Sequence, residues 1–125
     1  MPLQWQISHP ARLVSVVANG SVQLADLEPY FAALRTEGAL PYRKLIDARS
    51  ATPALSSEDF SFLFRGLLLR YSAHAPLGPV AWIAENDSQL PKTFSERMAL
   101  PLRPFRTFVD IDEARLWLTR MPIEI

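Results

Sequence analysis

The chain contains no cysteine, and this absence removes three kinds of chemistry. Disulfide bonds, thiol nucleophiles and thiolate metal sites all require that residue. A chain without cysteine suits a reducing compartment, and we expect a cytoplasmic protein. The two histidines, His9 and His74, cannot complete a metal site by themselves, so we expect neither a metal nor another cofactor.

Glycine is scarce as well. The four glycines, Gly20, Gly38, Gly66 and Gly78, are too far apart in the chain to form a glycine-rich phosphate-binding loop. The sequence also contains no nucleophile elbow and no paired-carboxylate motif. No catalytic residue can therefore be named, and we expect a non-catalytic protein; an enzyme is an alternative that no motif supports.

The chain has no excess charge of either sign, because thirteen Lys and Arg residues balance thirteen Asp and Glu residues. Nucleic-acid-binding proteins and proteins of anionic membrane surfaces carry clusters of basic residues, so neither class is expected. No apolar run approaches the roughly 20 residues that a membrane-spanning helix requires. The polar residues near the N-terminus do not fit a signal peptide.

The chain does contain enough apolar sequence for a folded domain. Hydrophobic residues make up 49% of its 125 residues. A chain of this length ordinarily buries one core, so residues 1–125 are expected to form a single domain.

Apolar residues recur with the period of a strand in some segments and of a helix in others. Strands are predicted at 4–8, 13–18, 42–47, 80–84 and 106–109, and helices at 24–38, 57–73, 88–99 and 111–121. Asn19 and Gly20 are predicted to form a turn, and residues 48–55 a loop. The order β-β-α-β-α-β-α-β-α predicts an α/β fold with a single mixed, mostly parallel sheet of about five strands that begins with an antiparallel hairpin. The order of the strands in the sheet is left open.

Several short motifs, taken in order, resemble a known family. They are Gly20-Ser21-Val22 before Asp26-Leu27, then Tyr42-Arg43-Lys44-Leu45-Ile46-Asp47, Val80-Ala81-Trp82-Ile83, Arg103-Pro104-Phe105-Arg106-Thr107-Phe108 and Glu113-Ala114-Arg115-Leu116-Trp117-Leu118. The set is similar to the bacterial SpoIIAA-like proteins of the STAS superfamily, which are related in architecture to anti-sigma-factor antagonists and to the lipid-binding CRAL-TRIO fold. The resemblance implies a non-enzymatic fold whose relatives regulate partners or bind small ligands.

The chain departs from this family at the phosphorylation switch. In the phosphorylatable antagonists the central strand ends in an Asp-Ser-Ser-Gly motif, and the second serine is the switch. Here the corresponding run is Asp47-Ala48-Arg49-Ser50, so neither serine position carries a hydroxyl group. The family's switch therefore does not carry over to this chain.

The end of this central strand is nevertheless the best place to look for a site, because ligands of open α/β sheets bind beyond the carboxyl ends of the strands. The candidate ligand or partner contacts are Asp47, Arg49, Ser50, Thr52, Ser56 and Ser57. For Asp47 we favour the simpler interpretation that the carboxylate only caps the following loop. A phosphate would be stabilised at the hydroxyl groups, close to a helix N-terminus, but capping and turn roles explain them equally well.

Two functional hypotheses follow. The first is a STAS-like interaction or regulatory domain with an unknown protein partner, with a homodimer through the long helix at 57–73 as one expected assembly. The second is a carrier of a lipid or other small apolar ligand, bound between that helix and the sheet. Phe62 and residues 67–69 favour either one, since they exceed what a single buried helix face requires.

Overall fold

The computed structural model describes residues 2–53, 66, 69–71, 77–84 and 104–122. Five strands and two helices have defined bounds within these residues. They are β1 (Leu3–Ser8), β2 (Leu13–Val22), α1 (Leu24–Thr36), β3 (Arg43–Pro53), β4 (Val80–Ile83), β5 (Phe105–Phe108) and α2 (Ile111–Arg120). The helix predicted at 88–99 lies outside the described residues, as does most of that predicted at 57–73, where residues 66 and 69–71 are helical.

The strands form one sheet in the order β1-β2-β3-β4-β5. β1 pairs antiparallel with β2, and each later strand pairs in parallel with the strand before it. The predicted α/β fold with a mixed, mostly parallel sheet and an initial antiparallel hairpin is therefore confirmed. The sequence left the strand order open, and the structure shows that each parallel strand is added beside its predecessor.

The period of two in β1 places its apolar and polar side chains on opposite faces. Trp5 and Ile7 pair with Val16 and Val14 of β2 and contribute to the core. Gln4 and Gln6, the intervening residues, are exposed.

Two apolar layers cover the sheet. On the face that we call the α1 face, Leu27, Phe31 and Leu34 of α1 are buried against side chains such as Ile46 of β3. On the opposite face, the α2 face, α2 packs through residues that include Ala114 and Leu118. β4 is buried from both sides, as its continuous apolar sequence predicted.

Two predicted strand ends are wrong. β2 continues through Asn19 and Gly20 to Val22 in place of the expected turn, and β3 continues to Pro53 in place of a loop from residue 48. Residues 19–22 and 50–53 pair with each other in parallel, which gives their backbone groups hydrogen-bond partners. Gly20 adopts a φ of 70° within the strand, a conformation that glycine allows without a steric penalty.

A β-bulge separates this added segment from the rest of the sheet. Val17 pairs with Asp47, and the next pair is Asn19 with Ser50, so one residue of β2 opposes two residues of β3. β1 pairs with β2 only as far as Ala18, and β4 ends opposite Asp47. Within the described residues, 19–22 and 50–53 therefore form a two-stranded extension that projects beyond the other strands.

Two glycines provide a matched test of the packing. A Cβ atom on Gly78 would collide with the backbone carbonyl oxygens of Pro41 and Tyr42, whereas one on Gly66 would meet nothing within 4 Å. We expect Gly78→Ala to lower the free energy of unfolding by at least about 2 kcal/mol, because backbone atoms must move. Gly66→Ala should raise it by up to about 1 kcal/mol, because alanine favours the helix.

Urea unfolding of both variants, followed by circular dichroism, measures these changes. A Gly78→Ala protein as stable as the parent would contradict the close approach of residue 78 to the segment before β3.

Candidate functional site

The candidate site lies at the point where β3 ceases to pair with β4 and continues paired only with β2, which we call the tip of β3. Asp47 is the last residue of β3 that is paired on both sides, with Val17 of β2 and Ile83 of β4. Strand alternation places its side chain on the α2 face, as it does that of Leu45. The side chain is 24% exposed, so the carboxylate is partly shielded from water and still accessible.

Asp47 and Arg49 form a doubly hydrogen-bonded ion pair. The Arg49 guanidinium donates from Nε to Oδ1 of Asp47 at 2.9 Å and from Nη2 to Oδ2 at 2.7 Å. The backbone N–H of Arg49 also donates to Oδ1, at 3.2 Å. A carboxylate that bonds the amide two residues later forms a local turn, and this turn lies within the bulge.

The ion pair also alters the acidity of both side chains. The hydrogen bonds from the Arg49 side chain hold the pKa of the Asp47 carboxyl below its ordinary value, and partial burial opposes this effect. The pKa of Arg49 is raised by the same hydrogen bonds. The pair is therefore ionised at neutral pH and adds no net charge to this edge of the sheet.

The structure brings together only some of the predicted contacts. Asp47 and Arg49 touch, and Ser50 follows them as an exposed residue of the extension. Thr52 lies in β3 opposite Ser21, but its side chain is outside the described residues. Ser56 and Ser57 are outside them altogether.

The sequence did not single out the polar residues that face this site from β2. Asn19 and Ser21 are exposed on the extension, where they pair with Ser50 and Thr52. Their Asn-Gly-Ser sequence is typical of a turn, so these side chains were not predicted to lie on a strand beside the site. The only available signal was Val22, an apolar residue two positions after Gly20 that is buried in the strand.

Among the described residues, no group of three or more His, Asp or Glu side chains is arranged to hold a metal ion. No helix there has the length and apolar character needed to cross a membrane.

Comparison with known proteins gives matches at the level of structure. An uncharacterised protein of the DUF3478 family with a SpoIIAA-like fold, from Shewanella loihica PV-4, matches with a TM-score of 0.64 and 19% sequence identity over 93% of this chain and 91% of that one. The unphosphorylated anti-sigma factor antagonist SpoIIAA matches with a TM-score of 0.53 and 14% identity over 94% of this chain and 97% of that one. The chain has a SpoIIAA-like fold. No family model and no curated protein matches its sequence.

The resemblance drawn from the sequence motifs is thus confirmed for the fold. Within this SpoIIAA-like fold, the run Asp47-Ala48-Arg49-Ser50 contains the bulge and the ion pair. The arrangement can present fixed polar groups to a partner.

The ion pair predicts a pH dependence of stability. Because the pKa of Asp47 in the folded protein lies below its ordinary value of 3.8, the ionised carboxylate stabilises the fold above that pH. This contribution is lost as the pH falls through the lower, folded-state pKa. A double-mutant cycle of Asp47→Asn and Arg49→Gln should give a favourable coupling energy at about pH 7 that is smaller at about pH 2.5, below the ordinary pKa of the carboxyl.

Urea unfolding of the parent and the three variants at each pH measures the coupling. A cycle that combines Arg49→Gln with Glu37→Gln is the control, since Glu37 pairs with His9 and its coupling with Arg49 should be absent. An Asp47–Arg49 coupling that is unchanged between the two pH values would contradict the ion pair.

Proposed function

We propose that this chain is a single, non-catalytic STAS-type interaction or regulatory domain that contacts a protein partner through the tip of β3 and the two-stranded extension. The observation that carries the proposal is the polar surface at this tip. Its exposed side chains are those of Asn19, Ser21, Arg49 and Ser50, and that of Arg49 is bonded to Asp47.

The geometry of the tip favours recognition of a partner surface. Arg49 is held by two hydrogen bonds to Asp47, yet 47% of its side chain is exposed. A side chain that is already ordered loses little conformational entropy when it is bound. Two of the N–H donors of its guanidinium bond the carboxylate of Asp47, so the exposed part of the group is presented in a defined orientation.

The fold supports the same location. The tip lies at the carboxyl ends of parallel strands, the edge at which open α/β sheets usually bind ligands and partners. The chain also matches in fold an anti-sigma factor antagonist, a protein whose name describes action on another protein.

The other hypotheses from the sequence stay predictions. The homodimer and the apolar-ligand carrier both involve residues 57–73, most of which lie outside the described residues. The cytoplasmic location is likewise a prediction.

Site-specific photocrosslinking tests the proposed surface. A photoreactive amino acid at Ser50 should capture one defined partner in cells of the source organism. The same amino acid at Thr36, which is exposed at the end of α1, is the control and should not capture that protein. Mass spectrometry of the crosslinked band identifies the partner.

The purified partner then allows a quantitative measurement. Arg49→Glu should weaken its binding by about tenfold or more, because the substitution removes guanidinium donors and adds a like charge beside Asp47. Thr36→Glu should leave the affinity unchanged. Capture from Thr36 as efficient as from Ser50, or equal affinities of the two glutamate variants, would refute this surface.

A further inference from the structure

A groove on the α2 face lies apart from the tip. It has a volume of about 380 Å³, near the lower end of the range for small-molecule sites. Its apolar lining comes from two strands and a helix, through Leu13 of β2, Leu45 of β3 and Leu118 of α2. This face is opposite to the α1 face on which Ile46 lies.

Strand register builds the floor of the groove. Leu13 pairs directly with Arg43, and Ser15 pairs with Leu45, so alternate residues of two neighbouring strands form a patch on one face. Helix α2 packs on β3, β4 and β5, and Ser15 and Val17 of β2 are exposed on the same face of the sheet. The groove lies between the helix and the part of β2 that contains Leu13 and Ser15.

One wall of the groove is formed by residues of α2 that are three and four positions apart. Arg115, Leu118 and Thr119 all line the groove, since these spacings bring side chains to one side of a helix. Leu118 is buried, whereas Arg115 is exposed at the rim.

The charge of the groove is positive. Arg43 and Arg115 both line it, and no Asp or Glu of the described residues does so. None of the ion pairs among the described residues includes Arg115. An apolar floor beneath two guanidinium groups is complementary to a molecule that has an apolar body and an anionic end.

Arg43 has a structural role that leaves part of its guanidinium available. Its Nε and Nη2 donate to the backbone carbonyl of Met121, at 3.0 and 2.7 Å, and so hold the end of α2 against the sheet. Two of its five N–H donors are used in this way. The structural role explains why Arg43 is half-buried, but it does not account for Arg115 or for the apolar floor.

We propose that this groove binds a small organic anion in which a carboxylate is attached to an apolar body. The apolar part lies on Leu13, Leu45 and Leu118. The carboxylate accepts hydrogen bonds from Arg115 and from the remaining donors of Arg43. The proposal is independent of the protein-interaction function, since the groove does not include Arg49 or Ser50.

Titration of the full chain with octanoate, followed by amide NMR spectra, tests the proposal. Saturable shifts are expected at Ser15, Leu45 and Leu118. Octanamide, which keeps the apolar body without the charge, and acetate, which keeps only the charge, should each bind at least about tenfold more weakly. Equal affinity for octanoate and octanamide, or the absence of saturable shifts at these residues, would overturn the proposal.

Two variants locate the site. Arg115→Gln should weaken octanoate binding about tenfold, whereas Arg120→Gln, on the same helix and outside the groove, should not change it. Ser15→Phe should abolish binding by filling the groove, while the circular dichroism spectrum is retained. Identical affinities of the Arg115→Gln and Arg120→Gln proteins would overturn the assignment, as would undiminished binding by a folded Ser15→Phe protein.

Discussion

The alternation of side chains along β3 is the constraint on which the rest of the structure depends. This strand is paired on both sides through Asp47, so it cannot change register without disrupting both neighbours. Ile46 and Ala48 face the α1 layer, and Leu45 faces the α2 layer. A slip of one residue would exchange the side chains on the two faces of β3. Asp47 would then lie in the α1 layer and Ile46 beneath α2.

The first two residues of β3 donate side-chain hydrogen bonds to segments on both faces of the sheet. Lys44 is fully buried, and its Nζ donates to the carbonyl of Leu40 in the segment that enters the strand. Arg43, its neighbour on the opposite face, donates to the carbonyl of Met121 at the end of α2. Because burial of an amine is costly without hydrogen bonds, the Lys44 contact specifies how the chain approaches the sheet. Adjacent basic residues of one strand thereby bond to segments on its two faces.

The sequence allowed the centres of the strands to be predicted more reliably than their ends. The centres of β1 and β4 carry clear apolar patterns, and the structure confirms them. The extension could not be predicted in this way, because Asn19 and Gly20 have turn chemistry that pairing with β3 overrides. Local propensity is a weak guide wherever a partner strand supplies the missing hydrogen bonds.

The candidate site was predictable in its location but not in its contacts. An acid at the end of a buried strand marked Asp47, whereas the bulge that contains its ion-pair partner Arg49 is defined by the register with β2, which the sequence left open. The groove was missed altogether. It lies between α2, which packs on β3 to β5, and exposed residues of β2, and this tertiary placement is not encoded in a local pattern around Leu13 or Arg115.

Because of this alternation, the groove and the tip lie on the same face of β3, at different positions along the strand. Arg43, Leu45 and Asp47 are successive residues on one face of β3, with Arg43 at the groove and Asp47 at the ion pair. Four residues of an extended strand separate their Cα atoms by about 13 Å. The strand between them is held by hydrogen bonds on both sides, so it provides a rigid spacer. The ligand proposed for the groove and the partner proposed for the tip therefore contact different side chains of this strand.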